Sequence, residues 1–174
     1  MNLSAKAPAD NPFPNKRIYS FGHRNRFGLA FDPQGGGLWI SENGPECNDE
    51  VNLIVAGGNY AWGQHETCAG TAPGNTNQDG PQPRLLPEVF YVSTIAPTGA
   101  EFCNGCGLAG QSGHLLFGAN NDGKIRSLTL DAGRDDVASQ SVAYDHPSAV
   151  ISMIAAPNGQ IYFSDPSGIW RLTP

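Results

Sequence analysis

Gly22-His-Arg-Asn-Arg-Phe-Gly-Leu-Ala-Phe-Asp-Pro33, Leu38-Trp-Ile-Ser-Glu-Asn-Gly-Pro45, Asn48-Asp-Glu-Val-Asn-Leu-Ile54 and Gly57-Gly-Asn-Tyr-Ala-Trp62 follow one another in a single stretch of the chain. Its apolar runs are four or five residues long and break at Gly28, Pro33, Gly37 and Gly44. That rhythm predicts short strands joined by tight turns and leaves no length for a helix. The polar residues gather in the turns. His23, Arg24 and Asn25 precede one strand, and Glu42, Asn43, Asn48, Asp49 and Glu50 surround Gly44 and Pro45 between two others. Donors and hard oxygen acceptors at strand ends mark the place where sites are usually built.

Working outward, the same pattern returns twice. Phe27-Gly-Leu-Ala-Phe, Gly37-Leu-Trp-Ile-Ser-Glu and Val51-Asn-Leu-Ile-Val form one triplet of strands. Thr98-Gly-Ala-Glu-Phe, Gly113-His-Leu-Leu-Phe-Gly and Gly123-Lys-Ile-Arg-Ser-Leu form a second, and Ile151-Ser-Met-Ile-Ala-Ala, Gln160-Ile-Tyr-Phe-Ser-Asp and Gly168-Ile-Trp-Arg-Leu a third. A fourth apolar segment stands beside each triplet, at Ile18, Val89 and Val142. Repeated units of four short strands predict an all-β fold of β-propeller type with about three blades, placed roughly at 17–63, 88–130 and 137–174. A β-sandwich is the alternative, because it too alternates short strands and turns. Residues 1–16 read as a polar, Pro-rich tail or linker, Arg17–Phe21 as a first short strand, and 64–87 as a long loop.

Composition narrows the class. Of 174 residues, 39% are hydrophobic and 15% charged, and the 22 glycines and 14 prolines fall between apolar runs, which argues for turns over disorder. A net charge of -6 and a pI near 5.0 give no basic footprint for nucleic acid and little attraction to anionic membranes. No apolar run reaches the roughly 18 residues of a spanning helix, and Met1–Asn11 lacks the basic and apolar parts of a signal peptide. Cys47, Cys68, Cys103 and Cys106 form an even set without zinc-finger spacing. Two disulfides, Cys47 with Cys68 and Cys103 with Cys106, are expected in preference to zinc.

The four motifs, from Gly22-His-Arg-Asn through Ser41-Glu-Asn-Gly-Pro and Asp49-Glu-Val-Asn-Leu-Ile to Gly57-Gly-Asn-Tyr-Ala-Trp, resemble the quinone-dependent glucose and sorbosone dehydrogenases, the soluble aldose sugar dehydrogenases. The resemblance runs from about Pro12 to the C-terminus and corresponds to the second half of that family's six-bladed propeller. It implies an enzyme that oxidises aldose sugars with pyrroloquinoline quinone (PQQ) over calcium, at a site that this half alone does not complete. Arg24 and Asn25 would contact the quinone, a guanidinium fork suiting a carboxylate-rich ligand, and Thr94 matches a threonine near it. The backbone carbonyls of Gly44 and Pro45 would hold the quinone's calcium, while Glu50 and the carbonyl of Tyr60 match a second, structural calcium site.

The resemblance also implies an extracellular or periplasmic location, and it assigns no catalytic residue to this chain. The family's base histidine lies in the other half, and none of His23, His65, His114 and His146 stands in a motif for it. His146 reads as a loop histidine. The family's quinone lysine falls at Asn121, its two late arginines at about Ala149 and Ile151, and the aromatic beside Thr94 at Val92. The alternative reading is a calcium-stabilised propeller module that binds or scaffolds without catalysis. A half-propeller also leaves two apolar blade faces, so a homodimer that closes a six-bladed ring is expected.

Overall fold

The computed structural model describes residues 6–62, 68 and 83–174. Eleven strands fill it: β1 (Arg26–Phe31), β2 (Leu38–Glu42), β3 (Cys47–Ile54), β4 (Val89–Ser93), β5 (Pro97–Phe102), β6 (Leu115–Ala119), β7 (Lys124–Leu130), β8 (Val137–Asp145), β9 (Ser152–Ala155), β10 (Ile161–Ser164) and β11 (Ile169–Arg171). They make three antiparallel sheets, β1-β2-β3-β4, β5-β6-β7-β8 and β9-β10-β11. The first strands of successive sheets lie against one another, β1 on β5 and β5 on β9. That radial arrangement is the propeller's and not the two stacked sheets of a sandwich.

The grouping of strands differs from the sequence-based one. Val89 and Val142 lie in β4 and β8, which close the sheet before them, where the sequence reading set each beside the triplet that follows. The ladder decides it: Val51 pairs with Val89, and Arg126 with Val142. Arg17–Phe21 forms no strand, because Phe21 alone bridges Asn59 and its neighbours turn to the Gly57–Asn59 loop. The third sheet has three strands among the described residues. Most of the long loop at 64–87, with His65, lies outside the described residues.

Two glycines explain why the triplets repeat. A Cβ on Gly28 would stand 2.5 Å from the Thr98 carbonyl of β5, and one on Gly99 would stand 2.3 Å from the Met153 amide of β9. Both sit where the register shifts, between Arg26 and Leu29 and between Pro97 and Ala100. A bulge at a glycine lets one inner strand press on the next. Ser41 Oγ stitches the first joint, accepting from the Gly28 amide at 2.9 Å and donating to the Thr98 carbonyl at 2.6 Å.

Two cores fill the spaces between sheets. Trp39, Val51, Phe102, Leu115, Phe117 and Leu128 pack between the first and second sheets, and Leu116, Ile125, Val150, Met153, Ile161 and Phe163 between the second and third. Every residue of β6 is buried, as a strand covered on both faces must be. The outer sheets are covered on one face only. Phe27, Leu29 and Phe31, alternating along β1, are 53%, 62% and 70% exposed, and Ile154 and Ile169 of the third sheet are 63% and 79% exposed. Both disulfides form as expected, Cys47–Cys68 and Cys103–Cys106. No helix among the described residues is long and apolar enough to cross a membrane.

Candidate cofactor site

The ladders place every candidate residue of the quinone site at one end of the sheets. Arg26 pairs with Glu42, Cys47 with Ser93, Pro97 with Ala119, Lys124 with Asp145 and Ser152 with Ser164. The start of each first strand, the second hairpin turn and the connection to the next sheet therefore share that end. It carries Arg24 and Asn25, the Gly44–Pro45 turn, Thr94, Asn120–Gly123, His146–Ile151 and Asp165–Gly168.

Arg24 is held at its base and at its head. Its amide donates to Glu42 Oε1, and its Nη1 donates to the carbonyls of Asn43 and Gly44 at 2.9 and 2.6 Å. The guanidinium lies 5.2 Å from the centre of the Trp62 ring, a cation on an aromatic face. Glu42, 4% exposed, also takes His23 Nδ1 at 3.0 Å, and His23 stacks on Tyr60 with ring centres 4.5 Å apart. The His-Arg-Asn turn is thus held to β2 by Glu42 and to the Tyr60 loop by its own His23 and Arg24. Asn25 is exposed.

Asp49 joins the Gly44 turn to the second sheet. Fully buried, it accepts from the Gly44 amide at 2.8 Å through Oδ1, and from the Ile95 and Ala96 amides at 2.6 and 2.7 Å through Oδ2. Burial raises its pKa above the ordinary carboxylate range, although those three N–H groups and the Arg24 charge pull the other way. The Ile95 and Ala96 carbonyls then accept from the Asn121 and Asn120 amides, and Asn121 Nδ2 donates to the Thr94 carbonyl at 3.0 Å. A continuous hydrogen-bonded path therefore runs from Arg24 through Gly44, Asp49 and Ile95 to Asn121 and Thr94. Asn48 and Ala96 beside it hold φ of +56° and +50°, which strains side-chain-bearing residues.

Glu50 stands in β3 opposite Glu42 and Phe90. Asn52 Nδ2 donates to its Oε2 at 3.2 Å, and among the described residues the buried Oδ1 atoms of Asn52 and Asn48 accept no hydrogen bond. Among the described residues no three His, Cys, Asp or Glu side chains cluster to hold a metal. A cation here would rest on one carboxylate with amide and backbone carbonyl oxygens. The Tyr60 hydroxyl is already used, donating to the Leu53 carbonyl at 2.5 Å and accepting from the Val55 amide at 2.8 Å, which leaves only the residue's backbone oxygen for such a role.

His146 lies in the β8–β9 loop, as the sequence reading has it, but it is buried there. It is 6% exposed, and its Nε2 lies 2.9 Å from Asp165 Oδ2 across the joint of the second and third sheets. Hydrogen bonds from His146, then from Trp170 and Ser167, hold Asp165 well below the usual carboxylate range. Asp165 sits in Ser-Asp-Pro-Ser-Gly, in the turn equivalent to Ser-Glu-Asn-Gly-Pro of the first sheet, so the internal repeat carried a signal for it. Trp62 carried less, since only its place at the end of the fourth motif hinted at a role beside Arg24.

The three propeller blades gather the Arg24 guanidinium, turn carbonyl oxygens and amides at one end face. The chain belongs to the glucose/sorbosone dehydrogenase family, whose model matches residues 1–169. It is 31% identical over 173 residues to an uncharacterized protein of Synechocystis sp., covering 93% of this chain and 40% of that one. Over 65 residues it is 54% identical to quinoprotein glucose dehydrogenase B of Acinetobacter calcoaceticus, 36% of this chain and 13% of the relative. A solved glucose dehydrogenase superimposes with a TM-score of 0.80 at 26% identity, over 96% of this chain and 50% of that chain. The chain thus spans half or less of the length of these relatives.

Proposed function

We propose that this chain carries one half of the PQQ site of an aldose sugar dehydrogenase and oxidises sugars only when further blades complete the site. The observation that supports this is the hydrogen-bonded path from Arg24 to Thr94, which draws the family's motif residues to one end face. The fit to the quinone is one-sided. Arg24 offers a guanidinium to a carboxylate, Asn25 an exposed amide, and the Gly44 turn carbonyl oxygens. The residues at the lysine and arginine positions, Asn121, Ala149 and Ile151, bring no positive charge to balance a tricarboxylate.

In this reading Arg24, Asn25 and Thr94 orient the cofactor, and Gly44 and Pro45 supply backbone oxygens to its calcium. Held there, the quinone would supply the hydride-accepting chemistry, and this chain's residues would supply its position and charge. Asp49 and Glu42 keep the two turns in register with each other, and the proton acceptor comes from outside this chain. The neutral Asn121, bonded to Thr94 where a lysine is usual, favours a second reading, a propeller module that holds calcium without catalysis.

Mixing the purified chain with PQQ and calcium separates the two. The first reading expects a shifted quinone absorption band that Arg24→Ala weakens by about tenfold, the scale of one charge-assisted contact, with no aldose-dependent dye reduction by the chain alone. No band at any quinone concentration leaves the second.

Glu50 with the Tyr60 carbonyl is the proposed structural calcium site, with the orphaned Asn52 Oδ1 beside it. A chelator is expected to lower the melting temperature, because an ion held only by the folded state stabilises it by mass action. Glu50→Gln should abolish that response, and an unchanged melting curve in both would discard the site.

For the exposed faces of β1 and the third sheet we propose a second copy as partner, since a twofold arrangement would set each face on its counterpart and close the ring. Sedimentation of the same sample as a compact monomer would reject it. An extracellular or periplasmic compartment belongs to this reading, and the two disulfides support it, because such bonds persist in oxidising surroundings.

A further inference from the structure

We propose that Arg24 is an internal stand-in for the metal at the Gly44 turn, and that an anionic ligand which draws its guanidinium away opens the turn to a divalent cation. The inference rests on the reading of Gly44 and Pro45 as calcium-facing carbonyls and concerns how that site is loaded. Arg24 Nη1 stands 2.6 Å from the Gly44 oxygen and 2.9 Å from the Asn43 oxygen, so a permanent positive charge already neutralises the turn's carbonyl dipoles. Two cations on one carbonyl oxygen repel at short range, and the arginine and a calcium ion therefore compete for it.

Three features make the competition reversible. The arginine's base is fixed by its amide on Glu42, while its head is held, among the described residues, only by the two Nη1 bonds and by the Trp62 ring 5.2 Å away, so moving the head leaves the backbone anchor in place. Both of its carbonyl bonds come from Nη1, and among the described residues Nε and Nη2 make no hydrogen bond. That edge is free to take a carboxylate bidentately. The Asn43 Oδ1, buried in the same turn, accepts no hydrogen bond among the described residues, which leaves a hard oxygen in place once the guanidinium moves. Asp49, whose carboxylate feels the Arg24 charge, keeps a negative group behind the turn. Quinone and metal would then bind cooperatively, the anion removing the cation that excludes the metal.

Terbium in place of calcium, excited through tryptophan in the full chain carrying Glu50→Gln, reads the Gly44 turn without the second proposed site. Arg24→Met keeps a stem over Trp62 and loses the charge, and Arg24→Gln is a second neutral form should Arg24→Met lower the melting temperature. Without quinone, the neutral forms are expected to bind terbium about tenfold or more tightly than the parent, the worth of a charge-assisted hydrogen bond no longer in competition, while Arg24→Lys stays near the parent. Adding PQQ should tighten terbium in the parent and leave Arg24→Met unchanged. A folded neutral variant that binds terbium no better than the parent overturns the inference while quinone binding still stands. Tighter terbium in Arg24→Met with no quinone binding to any form supports the competition, removes its anionic trigger and defeats the quinone reading.

Discussion

Arg134→Ala is expected to lower the stability of the chain by about 3–5 kcal/mol, the usual cost of removing one partner from a buried ion pair. Arg134 lies in the β7–β8 turn of the second sheet, and its target, Asp32, in the β1–β2 turn of the first. Nε and Nη2 donate to the two Asp32 oxygens at 2.5 and 2.8 Å, and Nη2 also donates to the Gly113 carbonyl at 2.9 Å. The Asp32 side chain is 0% exposed and that of Arg134 18%, so solvent screens little of the pair. The arginine holds φ at +58°, a strained posture kept by these bonds, and its head lies 5.8 Å from the Phe102 ring.

Alanine would leave the aspartate buried and without its cation. Burial alone pushes Asp32 upward, but the Arg134 fork and the amides of Gln34 and Gly35 outweigh it and hold the pKa below the usual value of 3.8. A depressed carboxylate contributes stability that is present above pH 3.8 and is lost as pH falls through the lower, folded-state value. Urea midpoints measured from pH 7 down to pH 2 should therefore fall on the acid side in the parent, and this acid loss should be smaller in Arg134→Ala. The double variant Asp32→Ala, Arg134→Ala should be less damaged than the two single losses summed. Simple additivity would show that the pair acts through packing alone.

Much of the architecture was legible because apolar runs, glycines and turns recur with one spacing. Gly28 and Gly99 appear in the sequence as the same point of two triplets, and in the fold they are the points where inner strands touch. The assignment of the fourth strands was not legible. Val89 and Val142 look alike whether they open one sheet or close another, and only hydrogen-bond register decides it. At the site, the motifs named Arg24, Gly44 and Glu50, and the turns were visibly rich in acids. That Glu42 and Asp49 are buried clamps, and that His146 meets Asp165, depends on contacts between segments 18 to 47 residues apart. No local pattern carries such pairings.

Asp49 should be the most sensitive residue of the candidate cofactor site. Its two oxygens receive three backbone N–H groups, one from the Gly44 turn and two from the β4–β5 connection. Asp49→Ala would strand all three in a site with no solvent access to the side chain. An unpaired buried donor costs about 1–3 kcal/mol, so a loss of roughly 4 kcal/mol is expected, short of a simple sum because the loops relax. Asp49→Asn tests whether shape or charge matters. The amide has the same outline, yet its NH2 must face either the Gly44 amide or the Ile95 and Ala96 amides, donor against donor, and a loss of about 2 kcal/mol or more follows. Ala96, at φ +50°, would be released from the bond that offsets its strain, so amide exchange at Ile95, Ala96 and Gly44 should speed up together while the β9–β10 hairpin stays protected. Because this carboxylate holds the Gly44 turn against the Thr94 connection, the proposed quinone site predicts that Asp49→Asn also weakens the quinone absorption shift at temperatures where the chain remains folded. An Asp49→Asn chain with the parent's urea midpoint and unchanged exchange at those three amides would mean that the loops hold each other without the carboxylate.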